Sequence, residues 1–387
     1  MKFANLFLKY LPVIILIATY AIYNVFDVLE IKKSVPIIND EKCLRIKGAV
    51  GIEDIFEYKD VLIGGSDDRH KLWELPQFGM EKTEDGSLVV IDPNRQEIFK
   101  RPIKNFPKGI AFHPHGIYIY NNLLYAINHA YSKGGERIEV FEIIGSNFLD
   151  IEFIYQRSLI FEKKLKLSGI TNDLAVVGKN DELYITSYLP FSDSLEGRTN
   201  KSFLEKLLEK LVIMFKIKLT YIYYCKSIKS EFLCSQIPNT SSLMNNGIAF
   251  DYKDKLYVSQ PLEKRIRVFE INVNDKKQLK YIRDIYPGYA GDNVYFNKDT
   301  KELYIGALGK IINHFGFIKD SKLTNNLPSS HDYEFGAIEI ETTKDDNVNV
   351  LTMFKNNLLG VSSAIKLNDS VYISSWADDG ILVCKLN

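Results

Sequence analysis

A repeat of six similar segments is the feature that most constrains how this chain can fold. Each segment has a polar start, a short strand, a polar turn and a second strand, as in NGIAFDYKDKLYVSQP and DNVYFNKDTKELYIGAL. The six segments open at Glu53, His115, Asn172, Asn246, Asp292 and Ser362. Hairpin units repeated in this way predict an all-β fold, a six-bladed β-propeller around a central tunnel. A double β-sandwich would fit the strand content, but it gives no reason for six similar units.

The charge balance and the absence of several catalytic motifs exclude some classes of function. Lys+Arg and Asp+Glu number 49 each, so the formal net charge is zero. A nucleic-acid-binding protein normally has a basic excess, so we expect no nucleic-acid partner. The chain also lacks a G-x-S-x-G elbow, an H-E-x-x-H helix and a Walker-type phosphate loop.

The N-terminus carries a hydrophobic segment with two flanking lysines. Lys2 and Lys9 precede residues 11–26, an uncharged run that is short for a membrane span of roughly 20 residues. Such a run suits either a cleaved signal peptide or a retained anchor, and no small-x-small cleavage pattern follows it. We expect residues 1–27 to be a retained signal-anchor and residues 28–387 to form the propeller.

This segment predicts the secretory pathway, with the lysines inside and the propeller luminal or extracellular. The location would be the endoplasmic reticulum or the plasma membrane, or the protein would be secreted if the segment is cleaved. Three N-x-S/T sequons, at Asn200, Asn239 and Asn368, are compatible with N-glycosylation on this route.

Residues 201–218 break the β pattern with apolar residues at helical spacing. The stripe consists of Leu204, Leu207, Leu208, Leu211, Val212 and Phe215. Lysines surround it. Two interpretations remain open: a short amphipathic helix packed on the top of the propeller, or an interfacial helix that contacts a membrane and covers the site.

The repeat places carboxylates, amides and one imidazole at equivalent blade positions. Because the innermost strands of a propeller line its channel, these side chains are expected to converge although they are distant in sequence. Carboxylates that meet without Lys or Arg repel each other, and a hard cation with oxygen ligands, such as calcium, resolves this. The set consists of Glu53, Asp54, His115, Asn172, Asp173, Asn246, Asp292 and Asn293.

From about residue 43 to residue 384 the chain resembles the paraoxonase/arylesterase family. The segments that carry the resemblance are GIEDIF, FHPHGIYIY, INHAYS, ITNDLAVVG, NNGIAF, GDNVYF and LVCKL. The resemblance implies a six-bladed propeller with two calcium ions in its tunnel. It implies a catalytic calcium held by Glu53, Asn172, Asn246, Asp292 and Asn293. It also implies a structural calcium held by Asp54, Asp173 and the backbone carbonyl of Ile117, and a disulfide between Cys43 and Cys384.

The family hydrolyses lactones and aryl esters, and some members accept organophosphates. The resemblance implies that calcium polarises the carbonyl of a small lipophilic substrate while His115 activates water, with His129 as its partner in a dyad. Two pocket histidines of the family are missing. Thr186, Ser187 and Tyr188 replace an Asn-Asp-His run, and ALGK at residues 307–310 replaces the other histidine. Substrate preference therefore does not carry over.

An alternative is a non-catalytic, membrane-anchored relative that assists the assembly of membrane proteins such as ion channels, with calcium only stiffening the fold. A strictosidine-synthase-like propeller shares the fold but needs no such calcium set.

Two further features of the sequence concern the cysteines and the last blade. Cys225 and Cys234 can join each other or remain free, and we expect Asp378 and Asp379 to face solvent in a last-blade turn.

Overall fold

The computed structural model describes residues 2–75, 77, 79–229, 231–324, 326–327, 332–343 and 345–386. Its 25 strands build six sheets, and the first strand, β1 (Cys43–Val50), belongs to the last sheet. Blade 1 contains β2 (Ile52–Tyr58), β3 (Val61–Ser66), β4 (Ser87–Asp92) and β5 (Glu97–Arg101). Blade 2 contains β6 (Ile103–Lys104), β7 (Pro114–Tyr120), β8 (Leu123–His129), β9 (Glu136–Ile144) and β10 (Glu152–Ile160). Blade 3 contains β11 (Thr171–Gly178), β12 (Glu182–Ser187), β13 (Ile222–Ile228) and β14 (Glu231–Gln236).

The second half of the chain repeats the arrangement. Blade 4 contains β15 (Ile248–Phe250), β16 (Lys255–Gln260), β17 (Arg265–Ile271) and β18 (Leu279–Ile285). Blade 5 contains β19 (Ala290–Phe296), β20 (Glu302–Leu308), β21 (Glu334–Glu341) and β22 (Asn347–Lys355). Blade 6 contains β23 (Val361–Leu367), β24 (Ser370–Ser375) and β25 (Asp379–Lys385), with β1 as its outer strand.

The inner strands contact one another in the cyclic order β2, β7, β11, β15, β19, β23 and back to β2. Each inner strand starts at, or within two residues of, the opening of one sequence repeat, so the predicted six-bladed propeller is confirmed. Two glycines let neighbouring inner strands approach closely. A Cβ atom at Gly116 would lie 2.5 Å from the Asn172 carbonyl oxygen, and one at Gly247 would lie 2.5 Å from Cα of Asn293.

The ring is closed by pairing the two ends of the folded chain. In the antiparallel pair of β1 and β25, Cys43 lies directly opposite Cys384, and the two form a disulfide. The pairing that the family resemblance implies is therefore present. The second pair was left open by the sequence. Cys225 and Cys234 face each other on β13 and β14, and a disulfide joins them as well.

Within the described residues, four α-helices accompany the propeller: α1 (Lys2–Leu29), α2 (Gly79–Lys82), α3 (Phe203–Met214) and α4 (Ile311–Thr324). Tyr10–Leu29 of α1 is long and apolar enough to cross a membrane, with a mean hydropathy of 1.8 over its 20 residues, and a signal sequence meets the same criterion. The predicted boundary after residue 27 falls in the last turn of α1. Met1 lies outside the described residues.

Helix α3 forms within the predicted 201–218 segment and begins with a capping box. Ser202 accepts the backbone N–H of Glu205, and the Glu205 side chain accepts the backbone N–H of Ser202. Helix α4 was not expected from the sequence. Its apolar residues do not form a clean helical stripe, because Asn313, His314 and Gly316 interrupt them.

Candidate functional site

The candidate site lies at the N-terminal ends of the inner strands, where a cavity of about 120 Å³ opens toward the loops and α4. Its polar floor contains five of the predicted site residues: Glu53, His115, Asn172, Asn246 and Asp292. Its wall is mostly apolar and consists chiefly of Trp73, Met244, Pro261, Leu262, Leu308, Ile311, Phe315, Ile318 and Trp376.

Irregularities in the inner strands explain why consecutive residues can both belong to the site. The pairing register shifts between Ile52 and Asp54 in β2, and similar shifts occur at the starts of β7, β11, β19 and β23. In a regular strand, successive side chains point to opposite faces, whereas a bulge re-aims one of them. Adjacent pairs such as Asp292 and Asn293 therefore both reach the channel.

The first predicted metal set presents unpaired oxygen atoms. Among the described residues, four side-chain oxygens here are buried without a hydrogen-bond donor: Glu53 Oε2, Asn172 Oδ1, Asn246 Oδ1 and Asn293 Oδ1. Buried acceptors without a donor are costly, so convergent ones call for another partner. Carboxylate and amide oxygens are the ligands that calcium prefers. With the carboxylate of Asp292 beside them, these residues fit a calcium ion.

Short contacts hold the set together. Asn293 Nδ2 donates to Oε1 of Glu53 at 2.8 Å, and its own Oδ1 is left free. The Ser362 hydroxyl donates to the backbone carbonyl of Glu53. Thr186 donates to the backbone carbonyl of Asn246 at 2.5 Å. These contacts hold the side-chain amide of Asn293 and the backbones of Glu53 and Asn246 in place.

The charges at the floor are not balanced by the protein. Burial and the neighbouring charges of Asp54 and Asp292 raise the pKa of Glu53 well above its ordinary value. Burial likewise raises the pKa of Asp292 to about 7. The expectation that no Lys or Arg lies nearby was wrong, because the fully buried Arg69 is close enough to lower the pKa of Glu53. The single positive charge of Arg69 does not offset the three carboxylates of Glu53, Asp54 and Asp292, and a divalent cation would supply the two positive charges that are missing.

The second predicted set lies behind the first, around a cavity of about 10 Å³ lined by Asp54, Asp173 and Ile117. Asp54 accepts the backbone N–H groups of Ile55 and Ile117 at 2.9 and 3.0 Å. Asp173 accepts those of Leu174 and Ile248 at 2.7 Å each. Burial raises the pKa of Asp54 to about 6, and burial together with the charge of Asp54 raises that of Asp173 well above its ordinary value. Each oxygen keeps a second lone pair, so this set also fits a cation.

The two predicted histidines are in direct contact. His115 Nδ1 lies 2.9 Å from His129 Nε2, and both residues are buried. The other ring nitrogen of His115, Nε2, lies 3.5 Å from Glu53 Oε1 and therefore faces the cation set. Burial, followed by the positive charges of its neighbours, lowers the pKa of His115 well below its ordinary value.

A glutamate that sequence reasoning missed completes this chain of contacts. Glu136, at the start of β9, lies 2.9 Å from His129 Nδ1 through its Oε1 atom. It also accepts the backbone N–H of Gly169 at 2.9 Å and the hydroxyl of Thr171. A carboxylate only accepts hydrogen bonds, so His129 carries its proton on Nδ1 and accepts the Nδ1 proton of His115. The Nε2 lone pair of His115 then faces the cavity. The only available signal was an acidic residue at the strand start after the His129 hairpin.

Two of the positions at which the sequence departs from the family resemblance lie at the pocket. The Tyr188 ring lies 5.6 Å from the His115 ring, and Leu308 forms part of the apolar wall. The structure nevertheless places another histidine in the wall, His314 of α4, whose pKa burial lowers to about 4. Because α4 was not foreseen, neither was this residue.

Two other sequence expectations can be compared with the structure. Asp378 is buried, pairs with Arg45 and accepts the backbone N–H of Leu359 at 3.0 Å, so the expectation that it faces solvent was wrong. The three sequon asparagines, Asn200, Asn239 and Asn368, are all exposed, as an acceptor site requires.

Helices α1 and α3 expose apolar residues. On α3, Phe203 is 82% exposed and Leu204 is 61% exposed, and Leu207 and Leu208 are exposed as well. The end of α1 docks beside α3, where Asn24 donates to the backbone carbonyl of Met214 at 2.9 Å. The predicted apolar stripe of α3 thus covers little of the propeller; among the stripe residues within α3, only Val212 is buried.

Comparison with known proteins gives one family and several solved structures that are similar to this chain. A family model described as arylesterase matches residues 71–357. No curated protein matches the chain. Among solved structures, a structural-genomics protein named as a gluconolactonase has a TM-score of 0.50 at 11% identity and covers 92% of this chain and 98% of its own. A luciferin-regenerating enzyme has a TM-score of 0.49 at 10% identity, with 89% and 97% covered. Virginiamycin B lyase from Staphylococcus aureus has a TM-score of 0.44 at 10% identity, with 89% and 99% covered. At such identity, the likeness to the first of these shows the fold alone.

Proposed function

This chain belongs to the arylesterase family, and from that premise we propose that it is a calcium-dependent hydrolase of small lactones or aryl esters. The observation that carries the proposal is the shared cavity. His115, relayed through His129 to Glu136, faces the same space as the unpaired oxygens of Glu53 and Asn172. Ester hydrolysis requires a general base that activates water and a positive site that polarises the carbonyl, and both must reach the same substrate carbonyl.

Two cation sites follow from the ligand chemistry. Glu53, Asn172, Asn246, Asp292 and Asn293 would hold the catalytic calcium, and Asp54, Asp173 and the Ile117 carbonyl would hold a structural one. When bound at the first site, calcium supplies a positive charge that polarises the ester carbonyl and stabilises the negative charge that develops on its oxygen.

The protein residues supply the proton transfer. His115 Nε2 accepts a proton from the attacking water, and the resulting imidazolium is stabilised through His129 by the Glu136 carboxylate. The neutral starting state of His115 agrees with the lowered pKa that burial imposes on it. The apolar wall, including Leu262, Ile311 and Trp376, excludes bulk water and binds the hydrocarbon part of the substrate.

Turnover by the full-length protein in detergent tests this proposal. Phenyl acetate and a panel of aliphatic lactones are offered with calcium, with chelator, and to His115→Gln. His70→Gln is the matched control, because His70 is a buried histidine that hydrogen-bonds Ser321 outside the relay. We expect hydrolysis that needs both calcium and His115. A folded, calcium-stabilised protein that hydrolyses none of these esters would overturn the proposal in favour of the non-catalytic assembly role, which the family match does not favour.

We also propose that the protein is held at a membrane in the secretory pathway by α1 and by the exposed face of α3. The apolar span Tyr10–Leu29 and the exposed Phe203 and Leu204 support this, as do the two disulfides, which persist in oxidising compartments. Carbonate extraction of cell membranes tests the anchor. Endoglycosidase shifts that disappear when Asn200, Asn239 and Asn368 are replaced by Gln would place the propeller in the lumen. Release of the protein by carbonate would contradict the membrane anchor. The absence of any glycan would contradict the luminal position of the propeller.

A further inference from the structure

Arg198 is a charged residue in the wall of an otherwise mostly apolar pocket. It starts a single 3-10 turn, Arg198–Asn200, just before α3. Its guanidinium carbon lies 4.1 Å from the centroid of the Trp73 indole. The Trp73 ring in turn makes edge contacts with His115 and His129, at centroid distances of 5.2 and 5.7 Å. The Trp73 indole therefore lies between the guanidinium of Arg198 and the imidazole of His115.

The guanidinium is held rigidly on one side. Nε donates to Asp193 Oδ2 at 3.0 Å, and Nη2 donates to the backbone carbonyl of Gly169 at 2.7 Å and to the Tyr188 hydroxyl. Asp193 is buried, and Lys201 binds its other oxygen at 2.9 Å. Since the side chain is already ordered, little conformational entropy is lost when a ligand binds it.

The remaining nitrogen of the guanidinium has no such contact. Within the described part of the chain, Nη1 has no hydrogen-bond partner. The atom is not buried, so it is accessible to solvent. Arg198 lines the cavity, so the two N–H groups on Nη1 are available to a molecule inside it.

In the part of the chain that the structure describes, Arg198 is the one charge of the cavity that is free to bind an anion, because the other ionisable residues around the cavity are paired, uncharged or part of the proposed calcium site. Among the described residues that line the cavity, it is the one Lys or Arg. Glu74 is neutralised by Lys322 at 2.5 Å, and His314 is uncharged because burial lowers its pKa to about 4. Glu53 and Asp292 belong to the proposed calcium site. A wholly apolar substrate would cover the open N–H groups without replacing their hydrogen bonds to water, which is unfavourable.

We infer that Arg198 determines the specificity of the pocket and that the preferred substrates are esters or lactones that carry a carboxylate. The carboxylate accepts hydrogen bonds from Nη1 while the scissile carbonyl lies at the polar floor. Charge-assisted hydrogen bonds of this kind contribute more than neutral ones and discriminate strongly against substrates that lack the anion. The inference rests on the proposed hydrolase function and gives it a substrate class.

The test compares 4-carboxyphenyl acetate with 4-carbamoylphenyl acetate, which has nearly the same shape but no charge. We expect the wild-type protein to show a kcat/KM at least tenfold higher for the carboxylate ester. In Arg198→Met this ratio should fall to about 1, a loss of about 10–100-fold that corresponds to one charge-assisted hydrogen bond. Lys201→Met is the matched control, because it removes the other cation on Asp193 without changing the cavity wall; its ratio should stay as in the wild type.

A ratio near 1 in the wild type, or a ratio unchanged in Arg198→Met, would overturn the inference. Failure of the hydrolase proposal is recognised separately, by the absence of turnover of phenyl acetate. In that case benzoate is titrated into the protein and followed by the fluorescence of Trp73 in a Trp376→Phe background. Weakening of benzoate binding by at least tenfold in Arg198→Lys and Arg198→Gln, with binding retained in Lys201→Met, supports the anion site, and equal binding by all variants contradicts it.

Discussion

Glu136 Oε1 lies 2.9 Å from His129 Nδ1 and thereby sets the tautomers of both site histidines. Because the carboxylate cannot donate, the proton of His129 stays on Nδ1, and the Nε2 atom of His115 is left as an acceptor in the cavity. The pair spans a turn, since Glu136 begins β9 and His129 ends β8. Together with His115 on β7, the relay therefore runs across three neighbouring strands of blade 2.

Glu136→Gln is expected to lower kcat for phenyl acetate by about 10–100-fold with little change in KM. The amide can donate to His129 and so stabilise the wrong tautomer, and it no longer stabilises an imidazolium. Glu139→Gln is the matched control, because Glu139 is a buried glutamate on the same strand that hydrogen-bonds Asn128 and Ser158 instead. Equal loss in both variants, measured by steady-state kinetics, would show that Glu136 acts only through the fold.

Calcium removal is expected to lower the melting temperature by several degrees, because a ligand at 100 times its Kd stabilises a protein by about 2.7 kcal/mol. The measurement is thermal unfolding in calcium and in chelator. In Asp292→Asn the difference between the two conditions should shrink to less than half, since the cation loses a charged ligand. Asp299→Asn, on the exposed turn after the same strand, should behave as the wild type. Identical melting of the wild type in both conditions would contradict the cation site.

The two disulfides are expected to differ in their effect on stability. Cys43 and Cys384 are separated by 341 residues in sequence, and Cys225 and Cys234 by 9. In the chain-entropy description, the cross-link over the longer loop removes more entropy from the unfolded chain, which makes its stabilisation larger by about 3 kcal/mol. Replacing both cysteines of the closing pair by Ser should therefore lower the melting temperature much more than replacing the Cys225 and Cys234 pair. A larger effect of the short-range pair would contradict this.

Asp181 is expected to stabilise the junction of blades 2 and 3 in a pH-dependent way. Burial opposes its ionisation, but hydrogen bonds from Arg157, Ser227 and Tyr125 outweigh burial and lower its pKa below the ordinary 3.8. A lowered pKa means that the contribution is complete above about pH 5, where the carboxyl is ionised in both states, and is lost as the pH falls through the lower folded-state value.

Asp181→Asn should therefore cost about 1–3 kcal/mol in unfolding free energy at neutral pH. Asparagine tolerates the left-handed backbone found here, with φ of 52°, so the change is confined to the side chain. Denaturant unfolding from pH 7 to pH 3 should show a constant difference down to about pH 5 and a shrinking one below pH 4. A difference that grows as the pH falls would contradict the lowered pKa.

The sequence alone determined the architecture of this protein and the composition of its floor. Six copies of one hairpin pattern leave few folds other than a propeller, and the polar residue at each opening must then face the channel. Glu53 of blade 1 and Asp292 of blade 5 therefore line the same cavity. Their roles as metal ligands stay predictions. The N-terminal apolar helix was likewise visible as a composition pattern.

Only the tertiary structure decided which groups surround that floor. Glu136 lies at the start of a strand, Arg198 in a short 3-10 turn and His314 in a helix without a clean apolar stripe. No periodic pattern in the sequence marks the direction of their side chains. Their relation to His115 depends on how loops of different length fold over the ring, and loop conformation is set by long-range contacts rather than by local spacing. The Cys225 and Cys234 pair stayed open in the sequence for a different reason: the register of β13 and β14 sets the two residues opposite each other, and that register was not known from the sequence.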